Sequence, residues 1–577
     1  MTKTGIRRQG RGFKGAMNRL LAKNLETILA IPGRKMYRSY ERAAKSAAAT
    51  QAALLAEIVA MNSDTVFGRE HGFGSIRGYD DFHAAVPIRD YEGHRPYVER
   101  HVAGEADVLF PGRPMMYTRS SGTTAESKLI PITQYNFERA IKNRGKLWLY
   151  GLMRAYPGIY RGRSYSVVSP AEEGRTADGT PFGSLSGVMR QNIPAFMHLT
   201  HAAPWETTLI ADYESRTYCQ LRFGVPSDVT TVFTGNPATV LNFATRADAW
   251  KERLIRDIRD GTLDPGLDLD PQARALLESR LEPAPDRAAE LEAAVGRAGG
   301  ALRPTDYWPH LGLIHTWTQG NCALVLPKIR PWFREGTPIL DFGYIASEVM
   351  ATDLIDPETQ GSLLQVQHAF YEFAAFEDGD DREPHERLLP AHELEEGRRY
   401  YIYVTTLSGL YRYDMNDVIE VVGHFHGAPI FRFLFKGKGI TSLQGEKLSE
   451  RQLIDAVALG ARRAAVEHDF FVGHADAERG GYTLYVELTG AASREDRERL
   501  AAEVDRALGE VNVEYEAKRS SDRLRPLEVV PLGADAFAEY RKLRLAEGAH
   551  EGQLKWLHLS AGELTRERMR KLAAKQG

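Results

Sequence analysis

A loop rich in hydroxyl groups carries the strongest chemical signal in the sequence. Residues 117–131 read Tyr-Thr-Arg-Ser-Ser-Gly-Thr-Thr-Ala-Glu-Ser-Lys-Leu-Ile-Pro. Gly122 lets the backbone approach a ligand closely, short hydroxyl side chains can donate hydrogen bonds to phosphate oxygens, and Lys128 adds a positive charge. The hydroxyl residues are Ser120, Ser121, Thr123 and Thr124. The loop therefore predicts a phosphate-binding site.

The same loop does not fit the Walker A pattern, which requires G-x-x-x-x-G-K-[ST]. Gly122 and Lys128 have the required spacing, but Ser127 replaces the second glycine and Leu129 replaces the metal-binding hydroxyl. Pro131 also interrupts the helix that would begin there and hold the phosphates. A P-loop hydrolase is excluded, and a Ser/Thr-rich surface turn is the alternative for this loop considered alone.

A second segment, residues 341–349, places an aromatic side chain near a carboxylate. If a helix begins here, Tyr344 and Glu348 are four residues apart and share one face. The tyrosine ring can then stack on adenine, and the carboxylate can bind magnesium, which prefers oxygen ligands. The alternative for this segment alone is a helix start with a hydrogen-bonded glutamate.

A third segment, residues 404–418, predicts two strands joined by a turn at 408–409, followed by another turn at 415–416. Asp417 ends the second turn, just before the apolar run 418–422. A carboxylate in this position can accept hydrogen bonds from both ribose hydroxyls of a nucleotide. A carboxylate that only closes an Asx-turn is the alternative.

Two lysines in the last third of the chain are further candidates for charge stabilisation. Lys447 follows a glycine-rich joint, and Lys555 lies beside Trp556 near the C-terminus. Lysine side chains are usually exposed and only solvated, so neither residue indicates a site by itself.

The length and the residue patterns indicate more than one domain. A chain of 577 residues exceeds what one hydrophobic core usually serves. Alanine- and leucine-rich residues 38–62 predict a helix, and the proline-broken stretch 247–300 predicts several short helices. Apolar runs from 311 to 376, continuing at 401–406, predict a central sheet. Basic, glycine-rich residues 436–439 predict a flexible joint before a small α+β unit.

The composition excludes several classes of protein. The chain is 43% hydrophobic and 26% charged, which is ordinary for a globular protein, and its net charge of -3 gives no general attraction to nucleic acid or anionic lipid. The two cysteines, Cys219 and Cys322, are too few for a disulfide framework. No run of apolar residues reaches transmembrane length and no signal peptide is evident. We expect a cytoplasmic protein without a membrane or nucleic-acid partner.

Histidines offer a weaker alternative, a metal-dependent enzyme. His310, His315, His424 and His426 lie in strand-like contexts, without a carboxylate or cysteine at ligand spacing to complete a site. Roles in the core or on the surface are favoured.

Taken in order, these segments resemble the Gretchen Hagen family of acyl acid amido synthetases, plant auxin-conjugating enzymes and their bacterial relatives within the adenylate-forming superfamily. Residues 120–131 look like the family's phosphate loop, 344–348 like its adenine and metal motif, and 410–417 like its ribose motif. The similarity continues to the C-terminus through residues 431–433, 445–450, 512–515 and 552–555.

The resemblance implies an α/β fold with central sheets in a large N-terminal adenylation domain, residues 1–435. A small mobile C-terminal α+β domain, residues 436–577, would follow a hinge near 436–440. ATP and Mg²⁺ are the implied cofactors. The implied ATP-binding residues are Ser120, Ser121, Gly122, Thr123, Thr124, Tyr344, Ser347 and Asp417. The implied metal ligand is Glu348, and the implied catalytic residues are Lys128, Lys447 and Lys555.

The implied reaction is activation of a small carboxylic acid as an acyl-adenylate and its transfer to an amine or amino acid. Asn416 stands where many relatives have glycine, and residues 446–448 read Glu-Lys-Leu instead of the plant Asp-Lys-Thr. These departures favour a bacterial branch, so auxin is not assumed as the acid. Residues 150–240 are expected to line the acyl pocket.

Two alternatives share part of this chemistry. A ligase that forms a coenzyme A thioester uses the same adenylation step and differs only in the acceptor. A relative that binds nucleotide without turnover is the other alternative. The presence of Lys128, Glu348, Asp417 and Lys555 argues against the second.

Overall fold

The computed structural model describes residues 24–120, 128–353, 361–376, 388–437, 440–490, 493–533, 535, 536, 539, 540, 543 and 558–573. They form a mixed α/β protein, which confirms the predicted fold class. No described helix is long and apolar enough to cross a membrane.

Five of the described α-helices precede the first described strand, and others connect the later strands. The described α-helices are α1 (Leu25–Lys45), α2 (Ala47–Met61), α3 (Val66–Glu70), α4 (Tyr79–Ala85), α5 (Tyr91–Val102), α6 (Gln134–Asn136), α7 (Lys142–Ala155), α8 (Leu185–Gln191), α9 (Tyr213–Gly224), α10 (Pro237–Ala249), α11 (Lys251–Asp260), α12 (Pro271–Glu278), α13 (Pro285–Arg297), α14 (Pro304–Tyr307), α15 (Leu326–Ile329), α16 (Glu450–Ala464), α17 (Arg494–Val511), α18 (Val513–Ser520) and α19 (Glu563–Ala573).

Helices α11 to α13 confirm the prediction of several short helices between 247 and 300. The predicted helix over 38–62 is instead two helices, because the backbone leaves the helical conformation at Ser46.

The strands form four larger sheets and one small ribbon. The described strands are β1 (Met116–Ser120), β2 (Lys128–Ile132), β3 (Arg163–Ser166), β4 (Gly174–Arg175), β5 (Pro181–Gly183), β6 (Val229–Phe233), β7 (Leu313–Thr316), β8 (Ile339–Asp341), β9 (Thr352–Asp353), β10 (Ser362–Leu364), β11 (Ala369–Ala375), β12 (Leu389–Pro390), β13 (Arg399–Thr406), β14 (Tyr413–Phe425), β15 (Ala428–Lys436), β16 (Ile440–Thr441), β17 (Leu448–Ser449), β18 (His468–Asp476), β19 (Gly481–Leu488), β20 (Arg525–Leu532) and β21 (Leu559–Ser560).

A parallel sheet of order β3-β6-β7-β8 forms one centre of the molecule. Strand β6 reads Val-Thr-Thr-Val-Phe and is buried along its whole length, as expected for a parallel strand covered on both faces. In such a sheet, ligands bind in the crevice outside the carboxyl ends of the strands. A ligand site is therefore expected at the loops that follow these four strands.

A seven-stranded antiparallel sheet, ordered β12-β11-β13-β14-β15-β10-β9, forms the second centre. Gln51 of α2 joins it to the N-terminal helices, because its amide nitrogen donates to the carbonyls of Val366 and Ala369 at 2.7 and 2.8 Å. The prediction that the apolar runs from 311 to 406 form one central sheet is thus wrong. β7 and β8 join the parallel sheet, whereas β11 and β13 pair with each other in the antiparallel one.

The remaining four-stranded sheets lie before and after these centres. One has the order β2-β1-β5-β4 and carries the root of the hydroxyl-rich loop. The other, β20-β19-β18-β21, packs with α16 and α17 around a core that consists of residues after 442. The division at residues 436–440 stays a prediction, and residues 438 and 439 lie outside the described part of the chain.

Two buried histidines predict a pH-dependent stability. His94 and His101 donate from Nδ1 to backbone carbonyls and accept backbone N–H groups at Nε2, so both rings are neutral. Burial lowers the pKa of each to about 4, from an ordinary value of 6.5. Their stabilising contribution is present above pH 6.5 and is lost as pH falls towards 4, because the unfolded chain binds protons first.

The urea midpoint followed by tryptophan fluorescence is expected to decline between pH 6.5 and 4. His94→Gln should flatten that decline, whereas His426→Gln, at an exposed histidine, should leave it unchanged. If the urea midpoint of His94→Gln declines with falling pH as steeply as that of the wild type, His94 is not the cause of the decline.

Candidate functional site

A cavity of about 1330 Å³ lies beyond the carboxyl ends of the parallel strands. Residues from the loops after all four strands line it, and apolar and aromatic side chains dominate its wall. These residues include Val167 after β3, Thr234 and Gly235 after β6, Trp317 after β7 and Phe342 after β8. Its volume exceeds the usual 300–1,000 Å³ of a pocket for one small ligand. Two ligands can therefore be bound side by side.

Residues from the loop before β17 and from the C-terminal helices α16 to α18 close one side of this cavity. Lys447, Gln452 and residues 511–514 line it opposite the strand ends. Asn236 at the start of α10 contacts the same region, because its side-chain amide donates to the carbonyl of Gln444 at 3.2 Å. The cavity is thus a cleft between the parallel sheet and the C-terminal unit.

The loop that carries Lys447 is held by its buried neighbour Glu446. The carboxylate of Glu446 accepts the backbone N–H groups of Leu443 and Gln444, each at 2.7 Å, and also the hydroxyl of Tyr482. Lys447 adopts a left-handed backbone conformation with φ 47° and lines the cavity. The fixed loop determines where its ammonium group can reach.

The segment after β8 is an irregular loop, so the condition under which Tyr344 and Glu348 would share one helix face is not met. Asp341 at the end of β8 accepts the backbone N–H and hydroxyl of Thr318 at 2.7 and 2.8 Å, and the N–H of Gly343 at 2.7 Å. These bonds turn the chain before it can form a helix. Burial nevertheless raises the pKa of Asp341.

Ser347, in the loop after β8, connects the β2-β1-β5-β4 sheet to the cavity. Its carbonyl accepts the hydroxyl of Thr118 of β1 at 3.3 Å, and Ser347 lines the cavity. The end of β1, where the hydroxyl-rich loop begins, is therefore brought against the loop after β8.

Tyr344 and Asp417 meet although they are far apart in the sequence. The Tyr344 hydroxyl donates to the Asp417 carboxylate at 2.5 Å, and both side chains are buried. Burial, followed by the charge of Asp417, raises the pKa of Tyr344 well above its usual value. The predicted turn at 415–416 is wrong: Asp417 lies inside β14 opposite Lys436, and Asn416 has a positive φ of 50°. Neither Tyr344 nor Asp417 lines the large cavity.

Glu348 lies next to the same strand. Its Oε1 accepts the hydroxyl of Tyr413 at 3.3 Å. Magnesium is usually held by one or two carboxylates together with substrate phosphates, so one glutamate that is already oriented by a hydroxyl fits this donor set. Within the described residues no cluster of three or more histidines, cysteines or carboxylates could hold a metal ion by itself.

Lys128 stands at the root of the hydroxyl-rich loop. It pairs with Ser120 across the β1–β2 ladder, and its ammonium lies 5.4 Å from the ring centroid of Tyr91. The predicted residues Ser121, Gly122, Thr123, Thr124 and Lys555 lie outside the described residues. Of the described predicted residues, the cavity gathers Ser347 and Lys447. Lys128, Glu348 and the Tyr344–Asp417 pair lie outside its wall.

The histidines that suggested a metal enzyme have structural surroundings. His315 stacks between Trp148 and Phe342, with centroid distances of 5.3 and 4.3 Å, and burial lowers its pKa to about 3. His424 contacts the carbonyl of Leu394 at 3.0 Å. Both residues hold loops and strands in place.

Sequence reasoning missed the polar residues of the cavity wall near β3. Arg190, His201 and Ser166 line the cavity there. Each type is common on protein surfaces, and only the broad expectation that residues 150–240 contribute to a pocket pointed to them. Residues of that range line the cavity, among them several between 160 and 201, and their assignment to the acyl pocket stays a prediction.

Three family models match consecutive parts of the chain. The GH3 family N-terminal domain matches residues 36–339, the central domain residues 362–436 and the C-terminal domain residues 451–563. The first model alone spans more than half of the 577 residues.

Curated relatives match over nearly the whole length. "Probable indole-3-acetic acid-amido synthetase GH3.2" of Oryza sativa subsp. japonica is 27% identical, over 88% of this chain and 87% of its own. "Indole-3-acetic acid-amido synthetase GH3.10" of Arabidopsis thaliana is 26% identical, over 85% of this chain and 88% of its own.

A solved structure has the same fold. "GH3.15 acyl acid amido synthetase" superimposes with a TM-score of 0.63 at 23% identity, covering 92% of this chain and 94% of that one. A second structure of that synthetase, described as a complex with 2,4-DB, gives a TM-score of 0.63 at 21% identity, over 94% of this chain and 96% of that one.

Proposed function

The chain belongs to the GH3 family of ligases, and we propose that it activates a small carboxylic acid with ATP and transfers the acyl group to an amine or amino acid. The main support for this proposal is the convergence of three segments on the cavity. The root of the phosphate loop, the loop after β8 and Lys447 converge on one cavity that is large enough for two ligands. An adenylating enzyme needs this combination, because acid and nucleotide must react with each other before the acceptor arrives.

In this proposal the nucleotide lies on the β8 side of the cleft. Ser120, Ser121, Gly122, Thr123 and Thr124 bind the phosphates, Ser347 contacts the adenosine part, and Asp417 accepts the ribose hydroxyls. The Tyr344 hydroxyl on Asp417 supports an indirect role for that tyrosine, because its ring packs against Phe431 and Phe433 at centroid distances of 5.9 and 6.1 Å. We propose that it orients Asp417 from behind.

Glu348 is proposed as the magnesium ligand, oriented by Tyr413. Bound Mg²⁺ would supply neutralisation of charge on the phosphate oxygens. Lys128, Lys447 and Lys555 are proposed to add positive charge around the same group. A cleft that excludes water would make such charges more effective than they are in bulk water.

The proposed first step is attack of the substrate carboxylate on the α-phosphorus of ATP. A carboxyl oxygen–phosphorus bond forms, the bond to the β-phosphate oxygen breaks, and pyrophosphate leaves. In the second step the amine nitrogen attacks the acyl carbon, the carbon–oxygen bond to AMP breaks, and the nitrogen loses a proton. No side chain of the protein forms a covalent bond. The apolar wall of the cavity limits hydrolysis of the adenylate by excluding water.

We also propose that the C-terminal unit turns about residues 436–440 between the two steps. The cleft walls come from both sides of that segment, and the Asn236–Gln444 hydrogen bond bridges them. Rotation there would replace the residues that face the adenylate without moving the strand ends.

The experiment that tests the proposal is ATP–pyrophosphate exchange across a panel of aromatic and aliphatic acids. Acid-dependent exchange is the expected result. Product analysis with amino acids in parallel with coenzyme A then identifies the acceptor, and a thioester product would replace the amide proposal. ATP binding without exchange for any acid would contradict an adenylating role.

A further inference from the structure

A buried arginine at the β3 end of the cavity has no acidic partner among the described residues. Arg190 lies in the last turn of α8, is 8% exposed and lines the cavity. Its Nη1 donates a hydrogen bond to Nδ1 of His198 at 2.8 Å. The charge of Glu206 acts on Arg190. The Glu206 carboxylate, however, is already paired with Arg280 at 2.5 Å.

Two other cations of the cavity wall, the partly exposed Lys142 and the buried Arg144, differ from Arg190 because each has an acidic partner. Lys142 pairs with Glu138 at 2.6 Å, and Arg144 lies 3.3 Å from Asp353. Burial lowers the pKa of Arg190 to about 10, so its guanidinium is still charged at neutral pH. A buried charge without a counter-charge is unfavourable, and proteins usually pair it.

The neighbouring imidazoles cannot supply that counter-charge. His198 and His201 both have a pKa lowered by burial and by the charge of Arg190, so both are neutral near pH 7. His201 contacts the hydroxyl of Ser166 at the end of β3, at 3.2 Å. The result is one positive charge surrounded by neutral hydrogen-bonding groups. This set is suited to an anionic ligand.

This cluster is remote from the side of the cavity assigned to the nucleotide. His201 forms a backbone bridge with Ser164 of β3, whereas Ser347 follows β8 at the opposite edge of the sheet. Strands β3 and β8 are three strand spacings apart, about 14 Å. The start of α8 reaches towards the loop after β8, because Leu185 and Val188 pack in one cluster with Met350, whereas Arg190 lies in the last turn of α8 and contacts His198. This position at the β3 end of the cavity is the basis for assigning Arg190 to a group other than the carboxylate that reacts with ATP.

Resting on the proposed function, we infer that Arg190, with His198 and His201, forms a subsite for a second carboxylate at the far end of the acid substrate. The substrate class is thus a dicarboxylic acid with an apolar body. One carboxylate is adenylated near Ser347. The other accepts hydrogen bonds from the guanidinium, while the apolar wall surrounds the carbon chain.

The test compares straight-chain monocarboxylic and α,ω-dicarboxylic acids in ATP–pyrophosphate exchange, using chains of about six to twelve carbons, a length matched to the strand-edge separation. The wild type is expected to prefer the diacid of the best length over the monoacid with the same number of carbons. Arg190→Met should lower kcat/KM for that diacid about 10- to 150-fold and leave the monoacid nearly unchanged.

Two further variants separate specific from general effects. Arg190→Lys keeps the charge but loses the planar donor pair, so it should recover part of the diacid preference. Lys146→Met removes a charge from an exposed position on the cavity wall and should leave the preference intact. Circular dichroism and the urea midpoint report whether each variant is folded.

Three outcomes would overturn the subsite. Equal losses with both acids in Arg190→Met would mean that the arginine holds the reacting carboxylate or the fold. A raised KM for an amino-acid acceptor, with unchanged exchange, would assign Arg190 to the acceptor. No preference for any diacid in the wild type would also contradict it. Absence of exchange with every acid would instead contradict the adenylating function, and diacid binding by calorimetry to wild type and Arg190→Met would then test the subsite directly.

Discussion

Replacing Asp417 with alanine is expected to reduce acid-dependent ATP–pyrophosphate exchange about 10- to 150-fold, the loss that corresponds to one charged hydrogen-bond pair. The proposed ribose contact is the reason. Asp417 is buried within β14, and the Tyr344 hydroxyl occupies Oδ2 at 2.5 Å, which fixes the carboxylate in one orientation. The measurement is kcat and KM for ATP and for the best acid, and KM for ATP should change more than KM for the acid.

Two matched variants distinguish the charge of Asp417 from its packing. Asp417→Asn keeps an acceptor for the Tyr344 hydroxyl but removes the negative charge, so it should lose activity while the protein stays folded. Tyr344→Phe keeps the carboxylate and removes only the group that orients it, so its loss should be smaller. Wild-type exchange in Asp417→Ala would show that the ribose assignment is wrong.

The largest effect on stability is expected at the buried ion pair between Glu372 of β11 and Arg412. Their side chains are almost fully buried, with Arg412 Nε at 3.0 and 3.2 Å from the two carboxylate oxygens. Arg412 also donates to the carbonyls of Val86 and His83 at 2.7 and 3.1 Å, and Tyr79 donates to Glu372 at 2.9 Å. Glu372→Ala leaves the guanidinium buried without its counter-charge, which should lower the free energy of unfolding by about 3–5 kcal/mol.

Urea unfolding followed by tryptophan fluorescence measures this effect. The matched control is Glu420→Gln, which breaks the more exposed Glu420–Arg432 pair of β14 and β15 and should change the unfolding free energy by less than about 1 kcal/mol. Equal midpoints for Glu372→Ala and Glu420→Gln would contradict a structural role for the buried pair.

This ion pair gives a structural role to one residue of the segment that the sequence associated with ribose binding. Residues 410–417 resembled one binding motif, yet most of its side chains support the fold. Tyr411 donates to the carbonyl of Leu109, Arg412 pairs with Glu372, and Tyr413 donates to Glu348. Asp417 is the residue of this segment that is proposed to contact the nucleotide, and the others hold β14 in place.

The sequence by itself determined the features that depend on neighbours within a few residues. The short helices predicted between 247 and 300 follow from proline and alanine spacing. Asn236 caps α10 by accepting the N–H of Ala238 at 2.8 Å. The order of the motifs was sufficient to indicate the family. Local propensity, capping and turn chemistry act over one or two turns of chain, so they can be read without the fold.

Only the tertiary structure decided which of those segments meet. Tyr344 and Asp417 are 73 positions apart, and Arg412 and Glu372 are 40 apart. The division of the apolar runs between two sheets, the loop after β8 and the burial of Arg190 likewise depend on long-range packing. Hydrophobic periodicity specifies that a strand or an arginine-bearing helix exists, but not its partner. That partner is selected by the burial of the whole chain, because pairing and desolvation are summed over contacts far apart in sequence.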